Sequence, residues 1–379
     1  MSSTFPRTSA AGDHYENPSA FGVRLGNPSA AAGSDTTTFL HELHEAAYSC
    51  SGRIPALLEL ARDLGHSLPR PQQGNTLQLW ESLATLGAAD LTAARVIEPH
   101  LDALAILDQA GQGGMHPEDS TWGVFAAQGP GQQLLATPVQ SGWRLDGHKP
   151  WCSLADDLSH ALVTARTDVG MQLFAIDLRH PGVTTTGRPW SALGLPAVPS
   201  RGLLLAKVQA MPVGGPGWYT QRPGFSWGGV GVAAIWHGAA TALARRLHRH
   251  CLSREPDQIA LWQLGSADQA LWSSRSSFQR AATVADPPAA SRSLPAPTLD
   301  GPALISARVR ATTVSTAERI LTLSGHGMGP EPLAFEPEHA QRVADLELYL
   351  RQDHAERSLA AHGRAVLEAA ATNGGASPW

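Results

Sequence analysis

The sequence predicts a multidomain chain of α and β parts: an N-terminal helical domain, a middle β barrel or sandwich, and a C-terminal four-helix bundle. Three observations carry this. Apolar residues recur at spacings of three and four from Thr38 to Gly111. Short apolar runs separated by Gly and Pro then follow one another. The helical spacing returns after Met211-Pro-Val-Gly-Gly-Pro-Gly. Helices interrupted by a complete run of strands exclude an alternating βαβ sheet. The expected boundaries are 1–36 for a flexible N-terminal segment, 37–118 for the helical domain, 119–212 for the β domain and 213–379 for the bundle.

In the first helical part Leu40, Leu43 and Ala47, then Leu57, Leu60 and Leu64, keep one face apolar. Trp80, Leu83, Leu91, Val96, Leu101 and Leu104 continue the habit. The breaker cluster Gly111-Gln-Gly-Gly-Met ends it. Six strands are expected, at 121–127, 133–139, 143–145, 160–166, 171–177 and 202–208. Bundle helices are expected at 228–251, 256–282, 303–324 and 338–371, with an Ala/Pro/Ser-rich loop at 285–302.

Composition narrows the function. Of 379 residues, 42% are hydrophobic and 16% charged, which excludes a disordered chain and implies a large core. Lys plus Arg number 28 against 33 for Asp plus Glu, a net charge of −5, which argues against nucleic acid as a partner. Cys50, Cys152 and Cys251 form no CxxC pair, so neither a disulfide framework nor a zinc site is expected, and a reducing cytoplasm fits. Residues 1–17 lack the apolar stretch of a signal peptide. The 22 uncharged residues between Arg222 and Arg245 could span a bilayer by length, yet they contain five glycines and start in a Pro-Gly turn. A buried helix is expected there, and no membrane.

Two motifs dissolve on their spacing. His41-Glu-Leu-His-Glu places its histidines three apart, where a zinc-protease helix needs four, so no metal is expected there. Gly229-Val-Gly-Val-Ala-Ala234 fits a dinucleotide pattern but follows a turn-rich stretch instead of a strand, and reads as small residues for close helix packing. No serine sits in a nucleophile elbow.

One segment carries chemistry. Trp143-Arg-Leu-Asp-Gly-His-Lys149-Pro-Trp151-Cys-Ser153 resembles the W-x-L-x-G-x-K-x-W-[IV]-[ST] signature of the acyl-CoA dehydrogenase family. Phe174-Ala-Ile-Asp, Pro181-Gly-Val, and Trp190 with Leu193-Gly194 follow in that family's order. Arg254-Glu-Pro-Asp-Gln-Ile resembles its R-x-x-F-G-x segment, and Gly325-His-Gly327-Met-Gly329 resembles its G-G-x-G turn. The resemblance runs from about residue 40 to 365. It implies FAD, with Trp151 beside the flavin ring, Ser153 at the N5 edge, Arg254 reaching a pyrophosphate across a subunit contact, and Gly325, Gly327 and Gly329 admitting the dinucleotide. Independently, an indole face can cover an apolar ring and a hydroxyl can bond a nitrogen whose protonation changes.

Elsewhere the sequence departs from the family. Straight-chain members carry a glutamate eight residues after an Asp, and counting from Asp345 reaches Asp353, one methylene shorter and followed by His354. Asp353 reads as the base of the resemblance or as a surface acid of an amphipathic helix. The branched-chain base position is empty, because residues 221–244 contain no acid. The family's acidic T-E-P loop is replaced by Phe125-Ala-Ala-Gln-Gly-Pro-Gly-Gln132. The expectation is therefore a cytoplasmic FAD-dependent oxidoreductase. It would dehydrogenate an acyl thioester such as an acyl-CoA, using Asp353 as base and passing a hydride to flavin N5. Electron-transfer flavoprotein or oxygen would be the acceptor, in a homodimer or homotetramer. Two alternatives stand: a flavin monooxygenase of the same fold using His354, or a non-catalytic flavin-binding paralogue.

Overall fold

The computed structural model describes residues 21–26, 35–131, 133–140, 142–287, 301–372, 374, 375 and 377, so much of the predicted N-terminal segment and most of the 285–302 loop lie outside the described residues. Within that predicted flexible segment, residues 21–26 are pinned down. The backbone N–H of Val23 donates to the Thr85 hydroxyl at 2.9 Å, and those of Leu25 and Gly26 donate to Glu81.

Four helices come first: α1 Asp35–Ser49, α2 Ile54–Ser67, α3 Thr76–Ala89 and α4 Leu91–Gln109. Asp90 starts α4, its carboxylate accepting from the Ala93 N–H at 2.7 Å, the ordinary use of a short acid at a helix start. Pro99 lies inside α4. It has no N–H, so the Arg95 carbonyl one turn earlier loses its helical donor.

Seven strands follow among the described residues: β1 Trp122–Phe125, β2 Leu134–Val139, β3 Gly142–Ser153, β4 His160–Thr167, β5 Gly170–Asp177, β6 Val183–Thr186 and β7 Ser200–Val213. Pairing runs β4, β2, β3, β7, β5 and back to β4, which closes a barrel; β1 adds beside β4 and β6 beside β7. The prediction of six strands missed β6 and cut β3 short at residue 145.

After the barrel come α5 Trp218–Gln221, α6 Gly224–Leu252, α7 Gln258–Ala285, α8 Pro302–Met328, α9 Glu331–Phe335, α10 Pro337–Leu350 and α11 Glu356–Thr372. The single helix expected at 338–371 is thus two, broken at 351–355, where Ala355 takes φ 47°. α6 and α8 run parallel: Ser306 bonds the Ser226 carbonyl, Arg310 the Gly229 carbonyl, and Gly327 packs toward Leu247. The uncharged stretch belongs to α6, the buried centre of the bundle, and no helix of the described residues is long and apolar enough to cross a membrane. Gly229 and Gly231 are helical on both sides. The closest approach in the bundle is instead at Gly238, where a Cβ would run into the Ala84 carbonyl of α3.

Two contacts fix the barrel on the bundle. Asp345 of α10 accepts from the Leu195 N–H and from Gln341, and Gly194 lies hard against the Ala344 carbonyl.

Candidate functional site

Trp151 and Ser153 stand at the end of β3. A register shift between Lys149 and Cys152 bulges the strand there, and Trp151 takes φ 58° with 62% of its surface exposed. A bulky residue at positive φ costs of the order of 1–3 kcal/mol and is held only where its surroundings over-determine it. Lys149 anchors the bulge from inside, its Nζ donating to the Thr164 carbonyl at 2.9 Å and hydroxyl at 2.7 Å. Burial lowers its pKa to about 8.

Ser153 Oγ touches Ser200 Oγ at 2.7 Å and accepts from Arg95 Nη2 of α4 at 3.1 Å. From Arg95 the contacts continue across the bundle. Its guanidinium lies 5.1 Å over the Tyr349 ring of α10, Tyr349 meets Trp236 of α6 edge-on at 6.0 Å, and Arg310 of α8 lies 4.8 Å over Trp236. Arg310 Nη2 then reaches Asp353 Oδ1 at 3.4 Å. Five steps therefore join Ser153 to Asp353, residues 200 positions apart in sequence, with each guanidinium seated over an aromatic ring.

Asp353 lies in the break between α10 and α11, not on an exposed helical face. It is 9% exposed, and its Oδ2 accepts from the Ala355 N–H at 2.9 Å, which fits the left-handed turn. Each carboxylate oxygen has two lone-pair sites, so both contacts leave room for a further proton. The neighbouring His354 side chain is exposed.

Glu98 and Asp102 follow Arg95 on the same face of α4. Glu98 pairs with Arg95 at 3.4 Å and Asp102 with Arg222 at 3.3 Å. Burial pushes the Glu98 carboxyl up to about 7 against the pull of Arg95, and burial also raises Asp102. Folded Glu98 thus keeps a proton that the unfolded chain gives up near its ordinary 4.5. Its contribution is best below that pH, and stability falls as pH climbs to about 7, by on the order of 3 kcal/mol in the limit. Glu98→Gln should abolish that slope. Urea unfolding of both proteins at pH 5 and pH 8 checks it, and parallel losses would refute it.

The other predicted residues lie elsewhere. Gly325 and Gly327 are in the last turns of α8, not in a turn after it, and only Gly329 ends the helix, at φ 71°. Arg254 is exposed just past the end of α6. Because α6 and α8 are parallel, both groups share the far end of the bundle, roughly 25 Å along α8 from Arg310 at about 1.5 Å per residue. Sequence reading missed Arg95, Glu98, Trp236, Arg310 and Tyr349. The legible signal was the run of ionisable residues at spacings of three and four in an otherwise apolar α4. No group of three or more metal-ligating side chains occurs among the described residues.

Residues 126–208 match the family profile described as Acyl-CoA dehydrogenase, middle domain. No curated protein sequence matches the chain. Among solved structures, butyryl-CoA dehydrogenase from Megasphaera elsdenii is 17% identical with a TM-score of 0.73, covering 88% of this chain and 98% of its own. TdsC from Paenibacillus sp. A11-2, with FMN and indole, is 15% identical at 0.70 and covers 88% and 97%. A nitrososynthase from Micromonospora carbonacea var. africana is 18% identical at 0.67 and covers 86% and 93%. The chain has the acyl-CoA dehydrogenase fold, in its helical, β and helical parts.

Proposed function

We propose that on this acyl-CoA dehydrogenase fold the chain works as a flavin-dependent oxidoreductase, dehydrogenating an acyl thioester between Cα and Cβ, with electron-transfer flavoprotein or oxygen as acceptor. The observation that carries the reading is the buried path from Ser153 to Asp353. It brings the hydroxyl and the carboxylate that the resemblance singles out onto one cluster.

The residues present suit a flavin. An exposed indole on a bulged strand offers a flat apolar face, and the Ser153 hydroxyl two residues on offers a polar edge. Trp151 and Ser153 would hold the ring end. When bound, a flavin supplies a two-electron acceptor. Asp353 takes the α-proton, and its burial beside Arg310 keeps water from competing for it. The oxygen-activating alternative would need His354, whose exposed ring stands outside this cluster. FMN in TdsC makes the choice between FAD and FMN a question for experiment.

Purified protein is expected to bind FAD or FMN with a shifted visible spectrum, and the bound flavin should bleach anaerobically with an acyl-CoA thioester. No flavin uptake from an excess of either would remove the proposal.

Arg254 and Gly325–Gly329 lie at the far end of the bundle from Arg310, outside the cluster that joins Ser153 to Asp353, and we assign them to the flavin of a neighbouring copy. Next to Arg254, Leu252, Ile259, Leu261 and Trp262 are exposed, a patch that a homodimer or homotetramer would cover. Trp262→Glu is expected to shift the light-scattering mass toward a single chain and weaken flavin retention. An unmodified protein that is monomeric with flavin bound would contradict the assignment.

A further inference from the structure

Three ion pairs surround the path from Ser153 to Asp353: Arg222 with Asp102, Arg310 with Asp353 and Arg95 with Glu98. Only the last touches the edge assigned to the flavin, because Arg95 also donates from Nη2 to Ser153 Oγ at 3.1 Å. A hydroxyl has one hydrogen to give and two lone pairs. With Arg95 on one lone pair and Ser200 Oγ 2.7 Å away, the Ser153 hydroxyl is polarised by whatever charge Arg95 carries uncompensated.

That charge is decided by Glu98. Glu98 faces Arg95 and Asp102 on its own helix, Tyr219 of α5, Arg310 of α8 and Tyr349 of α10. Burial raises both tyrosine hydroxyls and keeps them neutral, and Asp102 and Arg310 have partners of their own. The cleft beside Glu98 is lined from α3 and α6 by the uncharged Leu79, Trp80, Leu83 and Trp227, and from the 69–71 loop by Arg70, which pairs with Asp108 at 3.0 Å. Glu98 alone is left to balance Arg95. Burial pushes its carboxyl up to about 7, so the balance changes across the neutral range.

Reduction of a flavin by a hydride adds two electrons and one proton and leaves one negative charge on the ring. An uncompensated guanidinium nearby favours that charge, and a carboxylate that cancels the guanidinium removes the advantage. We infer that Glu98 and Arg95 set the electron affinity of the flavin, Glu98 taking a proton from solution as the ring gains its charge, so that reduction near neutral pH draws two protons where the ring alone draws one. This rests on the flavin reading and is independent of which acyl group supplies the hydride. Both are positioning residues, acting on the ring through Ser153.

Spectroelectrochemical titration of flavin-loaded protein at pH 5 and pH 8.5 tests this without turnover. At pH 8.5 Glu98→Gln should raise the ratio of reduced to oxidised flavin at a fixed potential by about fivefold or more over the unmodified protein, and at pH 5 the two should agree within about twofold. Arg95→Met should do the reverse, lowering the ratio by about fivefold or more at pH 5, where the guanidinium is uncompensated, and changing it less at pH 8.5. Glu98→Asp keeps a titrating carboxyl and should keep the pH response. If Glu98→Gln does not fold, Arg95→Met decides. Equal ratios for Glu98→Gln and the unmodified protein at pH 8.5, or a gap of the same size at both pH values, overturn the inference and leave the flavin reading in place. Protein that takes up no flavin overturns both.

Discussion

Asp353→Asn should leave flavin uptake unchanged and slow the bleaching of bound flavin by a thioester by about 10²–10⁴-fold, the usual cost of losing a general base. The substitution keeps an oxygen for the Ala355 N–H, so the turn at 351–355 is retained, and Arg310 keeps its bond to the Gly229 carbonyl. Stopped-flow absorbance measures the rate, and a thermal melt checks that the fold survives. Asp353→Glu restores the missing methylene and should keep activity or raise it. His354→Ala should cost little, because its ring is exposed and outside the cluster. Full activity in Asp353→Asn would remove this residue from the chemistry, and a severe loss in His354→Ala would move the reading to the oxygen-using alternative.

Gly238→Val should be the most damaging single change to the fold. The new side chain would meet the backbone carbonyl of Ala84, which cannot swing aside as a side chain can, so α3 and α6 must part along a buried contact. A loss of at least about 3 kcal/mol is expected, a large share of an ordinary domain's stability. Gly325→Ala makes the control. Nothing lies within 4 Å of the Cβ it adds, and it sits inside a helix, so it should stabilise by roughly 0.5–1 kcal/mol. Urea midpoints read both. If Gly325 also admits a cofactor from a neighbouring copy, the same variant should hold flavin less well while melting higher.

How much of this was readable beforehand depends on what kind of signal each feature leaves. The helical, β, helical order rests on periodicity, and periodicity is read from one chain segment at a time, as with Leu57, Leu60 and Leu64. β6 is Val-Thr-Thr-Thr, without the apolar alternation that marks a strand, and its pairing with β7 is a property of the barrel. β3 runs on through Gly147 and Pro150, which locally signal a break, because the partner strand tolerates two register shifts there. The break after α10 has neither Gly nor Pro; Asp353 makes it by accepting from the Ala355 N–H. The site was half legible. Trp151, Ser153 and Asp353 come from the resemblance, whereas Arg95 and Arg310 look in sequence like charges on a solvated helix face. Only the packing of α4, α6, α8 and α10 turns those faces inward.

The closure of the barrel separates what is similar in sequence from what can stand alone. Similarity to the family's middle domain spans 126–208, yet β1 ends at Phe125, and Met211–Val213 of β7 supply the pairing that seals β5. A polypeptide of 126–208 would have two unpaired strand borders, and the side chains that now face α4 would be wet. It would be a poor unit to express or transplant. The smallest portable piece of this fold is therefore larger than the stretch by which it is recognised, and recombination that respects only the recognisable stretch would be expected to yield aggregates.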